Sequence, residues 1–292
     1  MNSEPVYILI SPVRNERDRF QRTIASVVSQ TVRPSFWIIV DDGSSDETGA
    51  IADQAAREHA WIRVVHRSDR GFRKQGGGVI EAFYDGYRLI ENERWDFVGK
   101  LDGDLSFDKD YFARCLARFS QDPGLGIGGG TVWTQTDSQL FNDGNSDPKF
   151  HVRGATKIYR RSTWEAIGGL VCATGWDTLD EVKANMLGWR TYSFPELKTI
   201  QLKSTGSADG TWKNWFKNGV ANYMVGYHPL FMGIKCLRRL FERPYFVVGM
   251  ALGAGYFSGY WKRKPRGTDR DVIRYLRRQQ LNRLFFRNSL WS

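Results

Sequence analysis

The chain has 292 residues, 41% hydrophobic and 25% charged, with a formal net charge of +10. That length allows one large domain, or one domain plus an extension, with enough apolar content for a real core. Three dispersed cysteines (Cys115, Cys172, Cys236) and four dispersed histidines (His59, His66, His151, His228) exclude a disulfide scaffold and a Cys/His zinc site and suit a reducing compartment. Residues 1–5 are short and acidic and a strand starts at Val6, so no secretory leader is expected.

In chain order, residues 6–10 are a continuous apolar run, the pattern of a strand buried on both faces. Residues 16–30 show helical spacing, with Phe20, Ile24, Val27 and Val28 on one face. Residues 36–40 read as a second buried strand, ending in Asp41-Asp42-Gly43-Ser44-Ser45-Asp46, where Ser45 or Asp46 suits the cap of a helix over 47–59. A third strand is predicted at 62–65, a helix over 78–92 and a strand over 95–101, ending in Asp102-Gly103-Asp104. The alternation predicts an α/β fold with a largely parallel sheet and helices on both faces. Beyond a helix at 112–119 come a glycine-rich stretch (124–130), a polar loop (134–149) expected at the surface, a strand at 157–159 and a short helix at 162–167. A helix starting near Asp177 runs to Leu187 and stops at Gly188.

The remainder differs in kind. After Gln201 there are 17 Lys and Arg against 4 Asp and Glu, a net +13, while the preceding part is −3. Such asymmetry points to a polyanionic partner, either an acidic membrane surface or a nucleic acid, or else to a solvated basic face. No nucleic-acid motif is present, so none is expected as partner. Residues 244–261 carry no formal charge, and Gly249, Gly253, Gly255 and Gly259 form small-residue patterns that allow close helix contact. As one helix they barely match a bilayer core of about 30 Å, and a single span would put residues 262–287 on the far side against the positive-inside tendency. The expectation is therefore a re-entrant or interfacial element, the alternative a buried hairpin. Residues 269–290 read as a basic amphipathic helix with Ile273, Leu276 and Leu284 on one face, suited to an anionic interface.

Three acidic clusters follow buried segments. Asp41 and Asp42 suit a base N–H or a ribose hydroxyl. Asp102 and Asp104 are hard oxygen donors at a sheet edge, where open α/β folds bind ligands, and suit a divalent cation carrying a diphosphate; ordinary turn chemistry is the alternative. Asp177, with Asp180 and Glu181 one turn on, either complements a helix dipole or supplies a general base.

Taken in order, residues 8–16 (Ile8-Leu9-Ile10-Ser11-Pro12-Val13-Arg14-Asn15-Glu16), 26–31, 40–46 and Leu101-Asp102-Gly103-Asp104 resemble the family-2 glycosyltransferases of GT-A fold, over roughly residues 6–189. The resemblance implies a catalytic domain over 1–205 and a basic, partly apolar helical region over 206–292. It also implies metal-dependent inverting transfer of a sugar from a nucleotide-diphosphate donor to an acceptor hydroxyl on a glycan or lipid-linked molecule. With the basic, partly apolar tail, the expected place is the cytoplasmic side of a membrane, peripheral or monotopic, and a soluble cytoplasmic protein is the second choice. By position, Pro12, Arg14, Glu16, Asp41 and Asp42 would line the nucleotide pocket. Asp104, with Asp102, would hold Mn²⁺ or Mg²⁺, Asp102 otherwise contacting the ribose, and Arg73 and Lys74 would reach the phosphates. Asp177 ranks first as base, then Asp180 and Glu181; Trp176 stands where the family usually has Glu. No histidine follows the strand near 199–203, and Lys203 is there instead. A catalytically inactive nucleotide-sugar-binding relative is the alternative. A nucleotidyltransferase or a Rossmann dehydrogenase would need a glycine-rich phosphate loop after the first strand, which residues 11–16 are not.

Overall fold

The computed structural model describes residues 5–71, 76–135, 140–142, 147–201, 210–267 and 269–291. Strands β1 (Tyr7–Val13), β2 (Phe36–Asp41), β3 (Ile62–His66) and β4 (Phe97–Leu101) are parallel, in the order β3-β2-β1-β4. Crossovers α1 (Arg17–Val28), α2 (Thr48–Glu58) and α3 (Gly77–Tyr87) join them. Alternate side chains serve opposite faces of the sheet. Tyr7, Leu9, Trp37 and Ile39 pack in one core, whereas Ile8, Ile10, Ile38 and Val40 pack in the other.

Past β4 the sheet becomes mixed, so it is less uniformly parallel than the alternation predicts. β8 (Thr156–Arg160) runs antiparallel to β4 and to β6 (Leu125–Gln135). β9 (Arg190–Gln201) is parallel to β6, and β5 (Leu105–Phe107) closes the edge antiparallel to β9. The glycine-rich stretch is the central strand β6, because a Cβ there would have no space: at Gly129 it would strike the Thr156 carbonyl, and at Gly130 the Leu197 carbonyl. The register between β6 and β9 slips between Gly130 and Thr131, opposite Pro195, where a proline can sit in a sheet without costing a ladder bond. The polar loop holds a short strand, β7 (Leu140–Asn142), paired to the end of β6. Helices α4 (Tyr111–Gln121), α5 (Arg161–Ile167) and α6 (Trp176–Met186) complete the layers.

The last third is helical: α7 (Thr211–Val225), α8 (Pro229–Arg239), α9 (Val247–Trp261) and α10 (Arg270–Leu284). These helices share a core with α6, in which Leu179 and Val182 meet Tyr223, Tyr227, Met232 and Leu252. The small-residue pattern does allow close contact. A Cβ on Gly255 would run into the Phe216 carbonyl of α7, and one on Gly219 into the Leu252 carbonyl of α9. The uncharged run, expected as a re-entrant or interfacial element and not as a span, is packed along one side, since Val248, Ala251, Leu252 and Tyr256 are buried inside the protein; no described helix is long and apolar enough to cross a membrane. One expectation needs correction: the apolar face of α10 is not open to a bilayer, because Val272, Ile273 and Leu276 are buried against the α6–α8 core.

Because the α7–α9 contact is backbone to backbone, Gly255→Leu should cost on the order of 3 kcal/mol or more in urea unfolding. The exposed neighbouring change Ala254→Leu should cost about 0.5 kcal/mol or less. Equal losses for the two would show that the contact is not tight.

Candidate active site at the carboxyl edge of the sheet

All four parallel strands end at one edge, which gathers their following loops. Asp41 is a supporting residue. Its carboxylate accepts from the Ser44 amide (3.0 Å) and meets His66 Nδ1 (3.2 Å), while a Cβ on Gly49 would lie 2.7 Å from it. His66 Nε2 also reaches Asp53 (3.0 Å), and Asp53 with Asp41 raises the imidazole pKa against the effect of partial burial. Asp42 faces the loop after β3. Arg67 takes one of its carboxylate oxygens and Arg70 the other; Arg67 goes on to Asp85 (2.6 Å) and Arg70 to Glu81 (3.1 Å). Gly43, at φ +70°, lets the two loops touch, since a Cβ would come within 2.6 Å of Asp69 Cα. Arg14 closes the group, donating to Asp69 (2.6 Å) and to the Asp42 carbonyl (3.2 Å). Pro12 is buried in β1 opposite Val40, and the Glu16 amide donates to Thr48 Oγ1 (2.8 Å), tying the first loop to α2.

Two strands away, about 10 Å at ordinary strand spacing, the Asp102–Asp104 turn is equally constrained. The Asp102 amide donates to the Ala155 carbonyl (2.8 Å), and Thr23 Oγ1 donates to the Gly103 carbonyl (2.8 Å). A Cβ on Gly103 would lie 2.6 Å from Val13 Cγ1, so only glycine turns here. Lys100, buried in β4, binds the Asp102 carboxylate and the Gly154 carbonyl (2.6 Å). Asp104 is buried and accepts from Gln201 Nε2 at the end of β9 (3.1 Å). Among the described residues no three His, Cys, Asp or Glu side chains cluster as a metal-binding group. Two carboxylates at one turn still fit a cation that takes its remaining ligands from a diphosphate and water. Of the two, Asp102 is already neutralised by Lys100.

The third cluster joins this turn through two lysines. Lys100 and Lys157 are direct cross-strand partners, and both ammonium groups lie under the Trp176 ring, 5.4 and 5.5 Å from its centroid. Lys157 is fully buried. It binds both Asp180 oxygens (2.9 Å each), Glu181 (2.8 Å) and the Asp177 carbonyl. Tyr159 donates to Asp180 (2.5 Å), the Val152 amide to Glu181 (2.6 Å), and His151 Nδ1 meets Glu181 at 2.9 Å. Burial raises Asp180 to about 6 against the pull of Lys157. Burial would lower His151, but Glu181 outweighs it, with Asp177 and Asp147 adding to the rise, and the imidazole stands at about 9. The Asp177 side chain is half-buried at the first turn of α6, and among the described residues it accepts no hydrogen bond.

Of the sequence candidates, Asp41, Asp42, Asp102, Asp104 and Asp177 therefore meet at one edge. Asp180 and Glu181 lie beneath it, every carboxylate oxygen engaged, and act as the anchor of α6. Arg73, Lys74 and Lys203 lie outside the described residues. Trp215 packs in the helical core under Arg239 (4.4 Å), while Trp212 is half exposed. Arg67, Arg70, Lys100 and Lys157 are additions. The lysines had a signal: residues i and i+2 of a strand share a face, which pairs Lys100 with Asp102 and Lys157 with Tyr159.

Solved structures share this architecture. A mannosyltransferase, PcManGT from Pyrobaculum calidifontis in complex with GDP-Man and Mn²⁺, superposes with a TM-score of 0.58 at 15% identity, over 99% of this chain and 77% of that one. GalNAc-T7 with UDP, GalNAc and Mn²⁺ gives 0.64 at 11% identity, over 99% of this chain and 56% of that one. The class of fold is GT-A, a mixed α/β sheet with flanking helices. The family model for glycosyl transferase family 2 matches residues 8–173, more than half of the chain, and the chain belongs to that family. Polyprenol monophosphomannose synthase of Mycolicibacterium smegmatis is 26% identical over 175 residues, 55% of this chain and 63% of that protein. The uncharacterized glycosyltransferase EpsJ of Bacillus subtilis is 28% identical over 137 residues, 47% of this chain and 37% of that protein. The match thus spans less than two thirds of either relative.

A His151 proton held to about pH 9, against 6.5 in the unfolded chain, contributes on the order of 3 kcal/mol. The contribution is complete below pH 6.5 and fades as pH rises through 9. The melting temperature of wild type minus that of His151→Gln should accordingly shrink between pH 6.5 and 10. Taking the difference removes Lys235, whose lowered pKa acts in the opposite sense above pH 8. A gap that stays constant with pH would show that His151 is not held protonated.

Proposed function

We propose that the chain is a nucleotide-sugar-dependent glycosyltransferase that inverts the anomeric centre. The observation that carries the reading is the convergence of Asp42, the Asp102–Asp104 turn and Asp177 on one sheet edge, with Asp177 alone among the acids of α6 left without a partner in the described structure. In this reading the nucleoside lies across the ends of β1 and β2. Asp42 meets its base or ribose, Arg14 and Arg70 border it, and Asp41 supports the loop. Asp102, oriented by Lys100, faces the ribose. Asp104, with Asp102, would hold Mn²⁺ or Mg²⁺, which when bound supplies Lewis-acid stabilisation of the charge on the departing diphosphate.

Asp177 takes the proton of the acceptor hydroxyl. The freed oxygen pair attacks the anomeric carbon from the face opposite the diphosphate, the carbon–oxygen bond to the diphosphate breaks, and its electrons leave with the nucleotide. Lys157 fixes the base from below through the Asp177 carbonyl, and the Lys157–Asp180–Glu181 group keeps the helix start in place. Asp180 and Glu181 contribute position rather than proton transfer. The acceptor is a glycan or lipid-linked molecule, which places the protein peripherally or monotopically at the cytoplasmic face of a membrane and its product in cell-surface polysaccharide or glycolipid. The family membership and the basic helical region support this setting.

A panel of uridine, guanosine and thymidine diphosphate sugars with and without Mn²⁺, read by calorimetry and by product release, tests the assignment. Asp177→Asn should keep donor affinity and lose transfer by about 10²- to 10⁴-fold. Retained transfer would remove Asp177 from the role of base. Asp104→Ala should abolish the Mn²⁺-dependent part of nucleotide binding; unchanged dependence would place the cation elsewhere.

A further inference from the structure

Helix α8 leaves Leu230, Ile234 and Leu237 in solvent, at positions i, i+4 and i+7 of one face, and Phe241, in the turn just past its end, is exposed as well. α9 repeats the spacing with Met250, Ala254, Phe257 and Trp261, the last 90% exposed. Its opposite face, through Gly255 and Gly259, is the one packed on α7. The two helices touch where a Cβ on Gly249 would meet the Cys236 carbonyl at 2.6 Å, so the stripes belong to one hairpin. Tyr245 and Phe246, both exposed, sit at the connection between them. Exposed apolar residues in such number on one hairpin call for a partner.

The charges around the patch select the partner. Residues 229–264 hold seven Lys and Arg and a single acid, Glu242, which is tied to Arg239 at 2.6 Å. Lys262, Arg263 and Lys264 follow directly on Trp261, and Arg266 begins a groove of about 660 Å³ lined by Arg270, Arg274, Arg277 and Arg278 of α10. Pressing two copies together through this face would oppose like charges, whereas an anionic surface neutralises them. Aromatic residues beside a basic rim are the composition of an interfacial helix. No described helix is long enough to span.

We infer that the α8–α9 hairpin is a monotopic docking face that lies in the plane of an anionic bilayer and inserts both apolar stripes at headgroup depth. The inference gives the membrane setting proposed above a surface; the sugar-transfer chemistry does not enter it. Docking would hold the catalytic edge at the membrane, within reach of a lipid-linked acceptor.

The test is flotation of the whole chain with phosphatidylcholine vesicles lacking or containing about a third phosphatidylglycerol, at low and high salt. Wild type should float with the anionic vesicles and less so with the neutral ones. The double variants Phe257→Glu/Trp261→Glu and Leu237→Glu/Phe241→Glu change exposed residues, so their melting should match wild type, but their partitioning should fall by about tenfold or more. Failure of wild type to float, or unchanged flotation of both variants, overturns the proposal. So does lipid-free self-association removed by the stripe variants, which would identify a second copy as occupant. Mn²⁺-dependent nucleotide binding is measured on the same samples. Its loss would strike the transferase reading and leave the docking face standing.

Discussion

The carboxyl edge of the sheet depends on one buried ammonium. Lys157 has no solvent contact and is held by Asp180, Glu181 and the carbonyl of Asp177. Removing such charges from water costs several kcal/mol each, and only close geometry with every donor and acceptor engaged offsets the cost. The geometry meets that condition: Asp180 also has Tyr159, and Glu181 also has His151 and the Val152 amide. With His151 protonated, two cations balance two carboxylates and the buried group is neutral. That balance is the physical reason the imidazole holds its proton. It also leaves Asp177 outside the neutral group, an uncompensated carboxylate at the rim.

The same logic runs one strand over. Lys100 neutralises Asp102. Trp176 lies over both ammonium groups and keeps water from them, and a tryptophan is a good face for a cation. A glutamate there would add a third acid to the neutral group beneath. Its replacement by an indole is therefore consistent with the charge count: the lysines are satisfied from below, and the ring closes the top. The outcome is a sheet edge at which Asp177 stands outside the buried ion group, while Arg14, Arg67 and Arg70 are each paired with acids of the facing loops.

How far this was legible in the residues varies with the physics. β1, β2 and β4 are apolar runs that end in turn chemistry, and their ends carry the acids, so the first half of the fold and the Asp42 and Asp102–Asp104 positions follow from pattern alone. β6 was hidden because its core positions are glycines, chosen for backbone contacts with strands far away in sequence. The first half of β9 was hidden by Pro195, which is tolerated only because a register slip is there to receive it. Asp180 and Glu181 look like accessible acids in a helical start, and nothing local reveals that Lys157 lies under them. The fate of the α10 stripe was also nonlocal. Its spacing is that of an amphipathic helix, but spacing does not say whether the apolar side meets lipid or protein, and here α6 and α8 take it.

The helical region resolves an apparent conflict between packing and charge. Glycines at 219, 255 and 259 let α7 and α9 approach backbone to backbone. In an ordinary soluble hairpin the face turned away from that contact would be polar. Here α9 is apolar on both sides: Gly255 and Gly259 with Val248, Leu252 and Tyr256 face the protein, while Met250, Phe257 and Trp261 face out. A helix that is apolar all round is one whose surroundings are apolar on every side. The basic residues do not reverse that, because they cluster at the ends of the stripes, where long side chains reach water or phosphate while their stems stay in apolar surroundings. Packing and charge therefore ask for the same environment, apolar at the middle of the hairpin and anionic at its rim.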